Sequence, residues 1–325
     1  MKRRSLISLA AAVAATPILG SAQPKSWPSG PVRIVVPFAP GGGSTPPLAH
    51  MLADELTKVF GSNFLVEYKP GANGNIGAVY VKKSPPDGSA FLFTGAGTMA
   101  TNPALYKNPG FDPKADFEPV ILYATMPNVL VVNQTIPATT VKEFADYLRS
   151  TKEHLAYGSS GNGSSMHTAG ALFLQATGTS MTHVPYNSAG AATTDLIGNN
   201  IQVMFQLVPG IAQFVKAKQV KALAVMAAQR SPMLPDVPTM AEAGFPALES
   251  NTWLCLVAPR GTPREIVQRM NEAVNKLLAQ PSVRERIAQL GAQPLGGTPA
   301  EFASYLDSEM KKWGAVVRKT GLSVE

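Results

Sequence analysis

The sequence predicts a two-lobed α/β protein, and three observations carry that prediction. The chain has 325 residues, 45% apolar and only 15% charged, which is more than one core usually organises and too apolar for a disordered chain. Short apolar runs alternate with amphipathic helical stripes, the order that an open α/β sheet requires. A unit of strand, proline-containing turn and capped helix occurs twice, about 120 residues apart, as a duplicated body would give.

Taken in order, Met1-Lys2-Arg3-Arg4, the apolar run from Ser5 to Gly20 and the small residues Gly20-Ser21-Ala22 read as a secretory signal spanning 1–22, cleaved after Ala22. The run is shorter than the ~20 residues that a bilayer needs. Cleavage removes three bases from a formal charge of +7. The bases that remain are scattered, so nothing tracks a phosphate backbone and nucleic acid is not an expected partner.

Val32–Pro37 reads as a strand buried on both faces. Thr45 as cap and Pro46 then open a helix whose apolar stripe is Leu48, Met51, Leu52, Leu56, Val59 and Phe60. Phe64–Glu67, Ala90–Thr94 and Pro119–Ala124 are further short strands. A second set starts with the strand Asn128–Val132, followed by a capping box, Thr140-Val141-Lys142-Glu143, on a helix carrying Val141, Phe144 and Leu148. Trp253–Val257 and a box at Thr262-Pro263-Arg264-Glu265 repeat that arrangement. The last third is helical, with one stripe at Ile266, Val267, Met270, Val274, Leu277 and Leu278. A helix capped at Thr298-Pro299-Ala300-Glu301 then carries Phe302, Leu306, Met310 and Trp313. Two sheets imply chain crossings near 124–129 and 227–252, hence one lobe over 23–126 and 228–325 and a second over 127–227. The prolines of Arg230–Pro238 would stiffen an exposed connection in the second crossing. Cys255, the single cysteine, sits in an apolar strand and reads as buried and inert.

The chemistry-bearing feature is a pair of strand–glycine loop–helix units. One runs from Val36 through Phe38, Ala39, Gly41, Gly42, Gly43 and Ser44 to Thr45, the other from Tyr157 through Ser159, Ser160, Asn162, Gly163, Ser164 and Ser165 to His167. Glycines turn backbone N–H groups towards a ligand, a helix N-terminus adds partial positive charge and hydroxyls add donors, so each loop can hold an anion. Two more loops follow the same plan: Thr94-Gly95-Ala96-Gly97-Thr98, and His183 through Tyr186 to Gly190. Ligands of open α/β sheets bind at strand carboxyl ends, so the four loops are expected to converge on one cleft.

Other chemistries fit less well. The first loop lacks the lysine of a P-loop, and Pro103 interrupts the helix that a dinucleotide fingerprint at Gly95–Ala100 would need. There is no G-x-S-x-G elbow around Ser164 or Ser165, although His167, His183 and Asp195 supply the residue types of a hydrolase. His50, His154, His167 and His183 lack metal-ligand spacing. No metal, cofactor or catalytic residue is expected.

Seven stretches then resemble one family in order along the mature chain: Pro37–Gly42, Lys69–Gly77, Asn102–Tyr106, Tyr157–Gly163, His183–Tyr186, Arg230–Pro238 and Ala258–Pro263. They are similar to the Bug family, the periplasmic solute receptors of tripartite tricarboxylate transporters. The resemblance implies a type II periplasmic-binding-protein fold: two α/β lobes, a hinge of two crossings, and a carboxylate-bearing ligand held between the lobes. By position it implies a ligand shell of Phe38, Ala39, Gly41–Thr45, Ala96, Gly97, Thr98, Ser159, Ser160, Asn162–Ser165, His167 and Tyr186, with Gln206 nearby. Pro46 and His50 stand where many relatives of that family have Asp and Arg, and many also have Asp in the stretch that reads Met204-Phe205-Gln206-Leu207 here. Losing the two acids would make the cleft less repulsive to a second carboxylate. The expectation is a monomeric periplasmic receptor that passes a small di-, tri- or aromatic carboxylate to membrane permease subunits. An exported serine hydrolase and a ligand sensor for a two-component system are the alternatives.

Overall fold

The computed structural model describes residues 27–40, 45–320 and 323–324. The expected signal segment 1–22 and residues Gly41–Ser44 of the first glycine loop lie outside these. The first lobe opens with three parallel strands, β1 (Val32–Val36), β2 (Phe64–Tyr68) and β3 (Ala90–Gly95), joined by α1 (Thr45–Phe60) and α2 (Asn75–Lys82). A short α3 (Asn102–Leu105) precedes β4 (Phe117–Asn133). The second lobe follows with α4 (Val141–Ser150), β5 (Ala156–Ser159), α5 (Ser165–Thr177), β6 (Thr182–Pro185), α6 (Ala189–Ile197), β7 (Val203–Leu207), α7 (Val208–Lys216) and β8 (Val220–Val225). The chain returns as β9 (Asn251–Pro259), α8 (Arg264–Leu278), α9 (Pro281–Gln289), β10 (Gln293–Gly296) and α10 (Pro299–Thr320). Strand order is β2-β1-β3-β9-β4-β10 on one side and β8-β4-β7-β5-β6 on the other.

Side-chain alternation along the strands buries both faces of the first sheet, as expected for near-continuous apolar runs. Ile34, Val36, Phe91 and Phe93 pack towards α1 and α8, whereas Val35, Leu92, Cys255 and Val257 pack with Phe302, Leu306 and Trp313 of α10. The second lobe repeats this, with Leu130, Val132 and Phe205 against α4 and α5, and Val129, Val131 and Met204 against α6 and α7. Val59 departs from the expected stripe and is 50% exposed, although Phe60 after it packs on the core.

The two strands expected at Pro119–Ala124 and Asn128–Val132 are one. β4 runs unbroken for 17 residues, pairing with β9 as far as Pro127 opposite Asn251 and with β7 and β8 from there on. Pro127, which has no N–H to donate, falls at this changeover of partners. Asn128, fully buried, fastens the changeover. Its N–H donates to the Ser250 carbonyl at 3.0 Å and its side-chain amide to the Phe205 carbonyl at 2.7 Å. Its Oδ1 accepts from Ser250 Oγ at 3.1 Å, and its carbonyl accepts from Met226 N–H at 2.8 Å.

Three other expectations need correction. The stretch containing Arg230–Pro238 is not an exposed tether, because Leu234 and Val237 join the α6–α7 core and Met240 and Leu248 the other. Thr140 and Thr298 form their capping boxes with Glu143 and Glu301, but Thr262 does not. Its hydroxyl donates to the Pro259 carbonyl at 2.7 Å, and α8 begins after Pro263 with no side-chain cap. α1 begins at Thr45 itself, so Thr45 is in the first turn and does not cap it from outside. Among the described residues, no helix is long and apolar enough to cross a membrane.

Candidate functional site

The glycine loops leave from the carboxyl ends of two pairs of parallel neighbours, β1 with β3 and β5 with β6. The loop after β5 is wound around its own hydroxyls. Ser159 Oγ donates to the Gly161 carbonyl at 3.0 Å and accepts from Gly161 N–H at 3.1 Å. Ser164 Oγ donates to the same carbonyl at 2.8 Å and, as the cap of α5, accepts from His167 N–H at 3.3 Å. Gly163 N–H donates to His167 Nδ1 at 3.1 Å. Gly161 and Gly163 have φ of 119° and 80°, a region that favours glycine. The loop after β6 is tied alongside by Tyr186 N–H to the Ser159 carbonyl, 2.9 Å.

Beneath this loop the imidazoles of His167 and His183 stack 3.8 Å apart with 10° between their planes, and Tyr157 lies 4.9 Å from His183. Burial pushes His167 down to about 4. Burial first, then the neighbouring His167, pushes His183 down to about 3. Both rings are therefore neutral at ordinary pH. Accepting from Gly163 at Nδ1 leaves the His167 proton on Nε2.

The facing wall joins Gly97 and Thr98, which the sequence reading placed in the ligand shell, to Asn73, Asn75 and Asn102, to which it gave no role. Asn73 sits in the left-handed region at φ 50°, inside the turn Ala72–Gly74. Its amide donates to Asn102 Oδ1 at 2.9 Å, and the Asn102 amide donates to the Asn73 carbonyl at 3.0 Å and to Asn75 Oδ1 at 2.5 Å. Thr98 Oγ1 donates to the Asn73 carbonyl at 3.0 Å while accepting from Thr94 Oγ1 at 2.9 Å. Gly97 and Thr98 belong to a π-helical turn, Gly97–Thr101, that runs into α3 through Pro103. The two lobes touch here. A Cβ added to Gly97 would stand 3.2 Å from the Gly163 carbonyl oxygen, and one added to Gly163 would stand 2.6 Å from Leu105 Cδ2 and 2.9 Å from Asn73 Nδ2.

The other sequence-derived candidates divide. Ala96 and Thr98 are buried beside this contact, Ser160 and Ser165 are half-buried on the loop, and Asn162 is exposed. Phe38 packs on the first core, with Ala39 exposed after it. Tyr186 and Gln206 are committed elsewhere. The Tyr186 hydroxyl donates to Asp195 Oδ2 at 2.7 Å, and burial followed by that bond pushes it up to about 12. Gln206, 1% exposed, donates to Thr193 Oγ1 at 3.1 Å and accepts from Leu207 N–H at 2.8 Å. Ser159 Oγ does lie 2.7 Å from His183 Nε2. That serine is fully buried, its proton goes to Gly161, and the imidazole is a weak base, unlike the nucleophile and base of a triad.

The profile of the tripartite tricarboxylate transporter family receptors, TctC, matches residues 48–322. The chain belongs to this receptor family. BugT from Bordetella pertussis is 30% identical over 301 residues, covering 92% of each chain. Among solved structures of similar proteins, Rpa4515 from R. palustris with adipate has 37% identity, a TM-score of 0.84 and coverage of 91% of this chain and 99% of its own. MatC from Rhodopseudomonas palustris with bound malate has 32% identity, a TM-score of 0.80 and coverage of 90% and 100%. In this TctC-family receptor Pro46 and Gln206 are packed into place, whereas His50 is exposed. Pro46 is buried in the first turn of α1, His50 Nε2 lies 2.8 Å from the Tyr68 hydroxyl, and Gln206 is held by α6 and β7.

Proposed function

We propose that this receptor works in the periplasm, where it closes its lobes, 23–126 with 228–325 against 127–227, on a small di-, tri- or aromatic carboxylate and delivers it to permease subunits. One observation carries the reading: the loops after β3 and β5, one from each lobe, meet backbone to backbone at Gly97 and Gly163. A ligand held between such loops touches both lobes, binds the closed form better, and shifts the equilibrium by that difference. The similar proteins solved with adipate and malate support a carboxylate as that ligand. The family resemblance points to Gly41–Thr45, Ala96–Thr98 and Ser159–Ser165 for the shell, and in the last loop Ser160, Asn162 and Ser165 carry the polar side chains that the loop itself does not use. His167, Tyr186 and Gln206 position the loops rather than grip the ligand. The receptor reading is favoured over a hydrolase on Ser164 because that hydroxyl donates to the Gly161 carbonyl and caps α5, and the Ser159–His183 pair is likewise buried and wired to the loop.

A thermal-shift screen with adipate, malate, citrate and glucose tests this. A ligand that binds only the folded state stabilises it by about 2.7 kcal/mol at 100 times its dissociation constant. At least one carboxylate is expected to raise the melting temperature and glucose to leave it unchanged. A rise with glucose and none with the acids would sink the carboxylate reading.

A further inference from the structure

A pocket of about 460 Å³ lies beside the stacked histidines. One wall is aromatic, made by His167, His183 and Tyr157. Another is aliphatic, made by Leu105, Ala171, Leu174 and Met181. Lys319 from α10, Ser323 and Val324 close the third side. Val324 is fixed there, its N–H donating to the Leu105 carbonyl at 2.9 Å and its carbonyl accepting from Lys107 N–H at 3.3 Å. Of the residues in the ligand shell that the resemblance implies, Asn162 and His167 line this pocket.

The volume falls in the range of small-molecule sites, roughly 300–1,000 Å³. The lining states a chemistry. Half-buried His183, Leu174 and Met181 offer apolar surface, with the buried rings of His167 and Tyr157 beside His183, and an aromatic ligand stacks favourably on such an imidazole. Lys319 is the charged residue of the lining, and among the described residues no carboxylate lines the pocket or pairs with Lys319. The neutral imidazoles add hydrogen-bonding capacity without adding charge.

We propose that the inter-lobe pocket beside His167 and His183 is a second ligand site, which takes a flat aromatic monocarboxylate with its ring on the histidine wall and its carboxylate at Lys319. It goes beyond the carboxylate cleft and does not depend on it. The probe is 2-naphthoate, with uncharged 2-naphthamide as the control, titrated into the full-length mature protein carrying ¹³C-methyl methionine. Naphthoate is expected to bind saturably and to move the Met181 methyl resonance, assigned from Met181→Leu, through the ring current of a stacked ligand. Naphthamide should bind about fivefold more weakly, and Lys319→Gln should weaken naphthoate by the same factor, the most that an exposed ion pair supplies. Leu174→Trp, which fills the pocket, should abolish the Met181 response. Should that variant fail to fold, the Met181 shift and Lys319→Gln carry the test alone. No binding, binding that leaves the Met181 methyl unmoved, or equal affinities for naphthoate and naphthamide would each overturn the proposal. Adipate or malate binding measured alongside reports separately on the cleft.

Discussion

His167 and His183 are held uncharged by burial, and their fit depends on it. Nδ1 of His167 can accept from Gly163 N–H only while it is unprotonated, and two charged imidazoles could not stack at 3.8 Å without repulsion. An unfolded histidine titrates near 6.5, but folded His167 does so only near 4 and His183 near 3. Between those values the unfolded chain binds more protons, so the stability due to the neutral pair is complete above pH 6.5 and drains as pH falls towards 4. For His167, 3% exposed, the loss by pH 5 is about 2 kcal/mol. Carboxylates titrate mainly below this window. Melting temperature measured from pH 7 to 5 should therefore fall, and His167→Asn, which keeps an acceptor for Gly163, should flatten the slope. An unchanged slope in the variant would refute the assignment. The sequence offers both histidines as residue types, but not their stacking, which depends on how α5 and β6 pack. Gln206 shows the same limit, since its partner Thr193 is fixed only when α6 lies on β7.

At the scale of elements, local signals were legible wherever local chemistry decided them. The boxes at Thr140 and Thr298 form because Glu three residues on can reach back to the cap N–H. The same pattern at Thr262 fails because the turn out of β9 claims the hydroxyl first. Thr140→Ala and Thr298→Ala should each cost about 1 kcal/mol in denaturant unfolding, whereas Glu265→Ala should leave the midpoint unchanged. A loss at Glu265 equal to that at the two threonines would mean that α8 is capped after all. The stretches Lys69–Gly77 and Asn102–Tyr106 carried a family resemblance without a role, because an asparagine's local sequence does not disclose its partner. Their mutual hydrogen bonds appear only when the turn before α2 meets α3.

For the whole molecule, strand–helix alternation gave two lobes, but nothing local could show where they touch. That contact runs through Gly163, where a side chain would meet Leu105, Asn73 and Asn102 of the other lobe. Gly163→Ala adds this clash to about 1–2 kcal/mol of left-handed backbone strain. The variant should stay folded by circular dichroism yet lose the ligand-induced compaction seen by small-angle scattering with whichever carboxylate stabilises the wild type most. Compaction equal to wild type would show that the lobes close without this contact.

The unbroken course of β4 through both lobes has a mechanical consequence. A flexible linker would let the halves wander, and each capture event would then have to quench that wandering. Here Asn128, Met226 and Ser250 bind three chain passages into one ribbon, so relative movement of the halves must take the form of added or released twist along paired strands. Such a torsion bar confines the open receptor to a narrow arc, and the free energy of gripping the ligand goes into holding it rather than into ordering the protein.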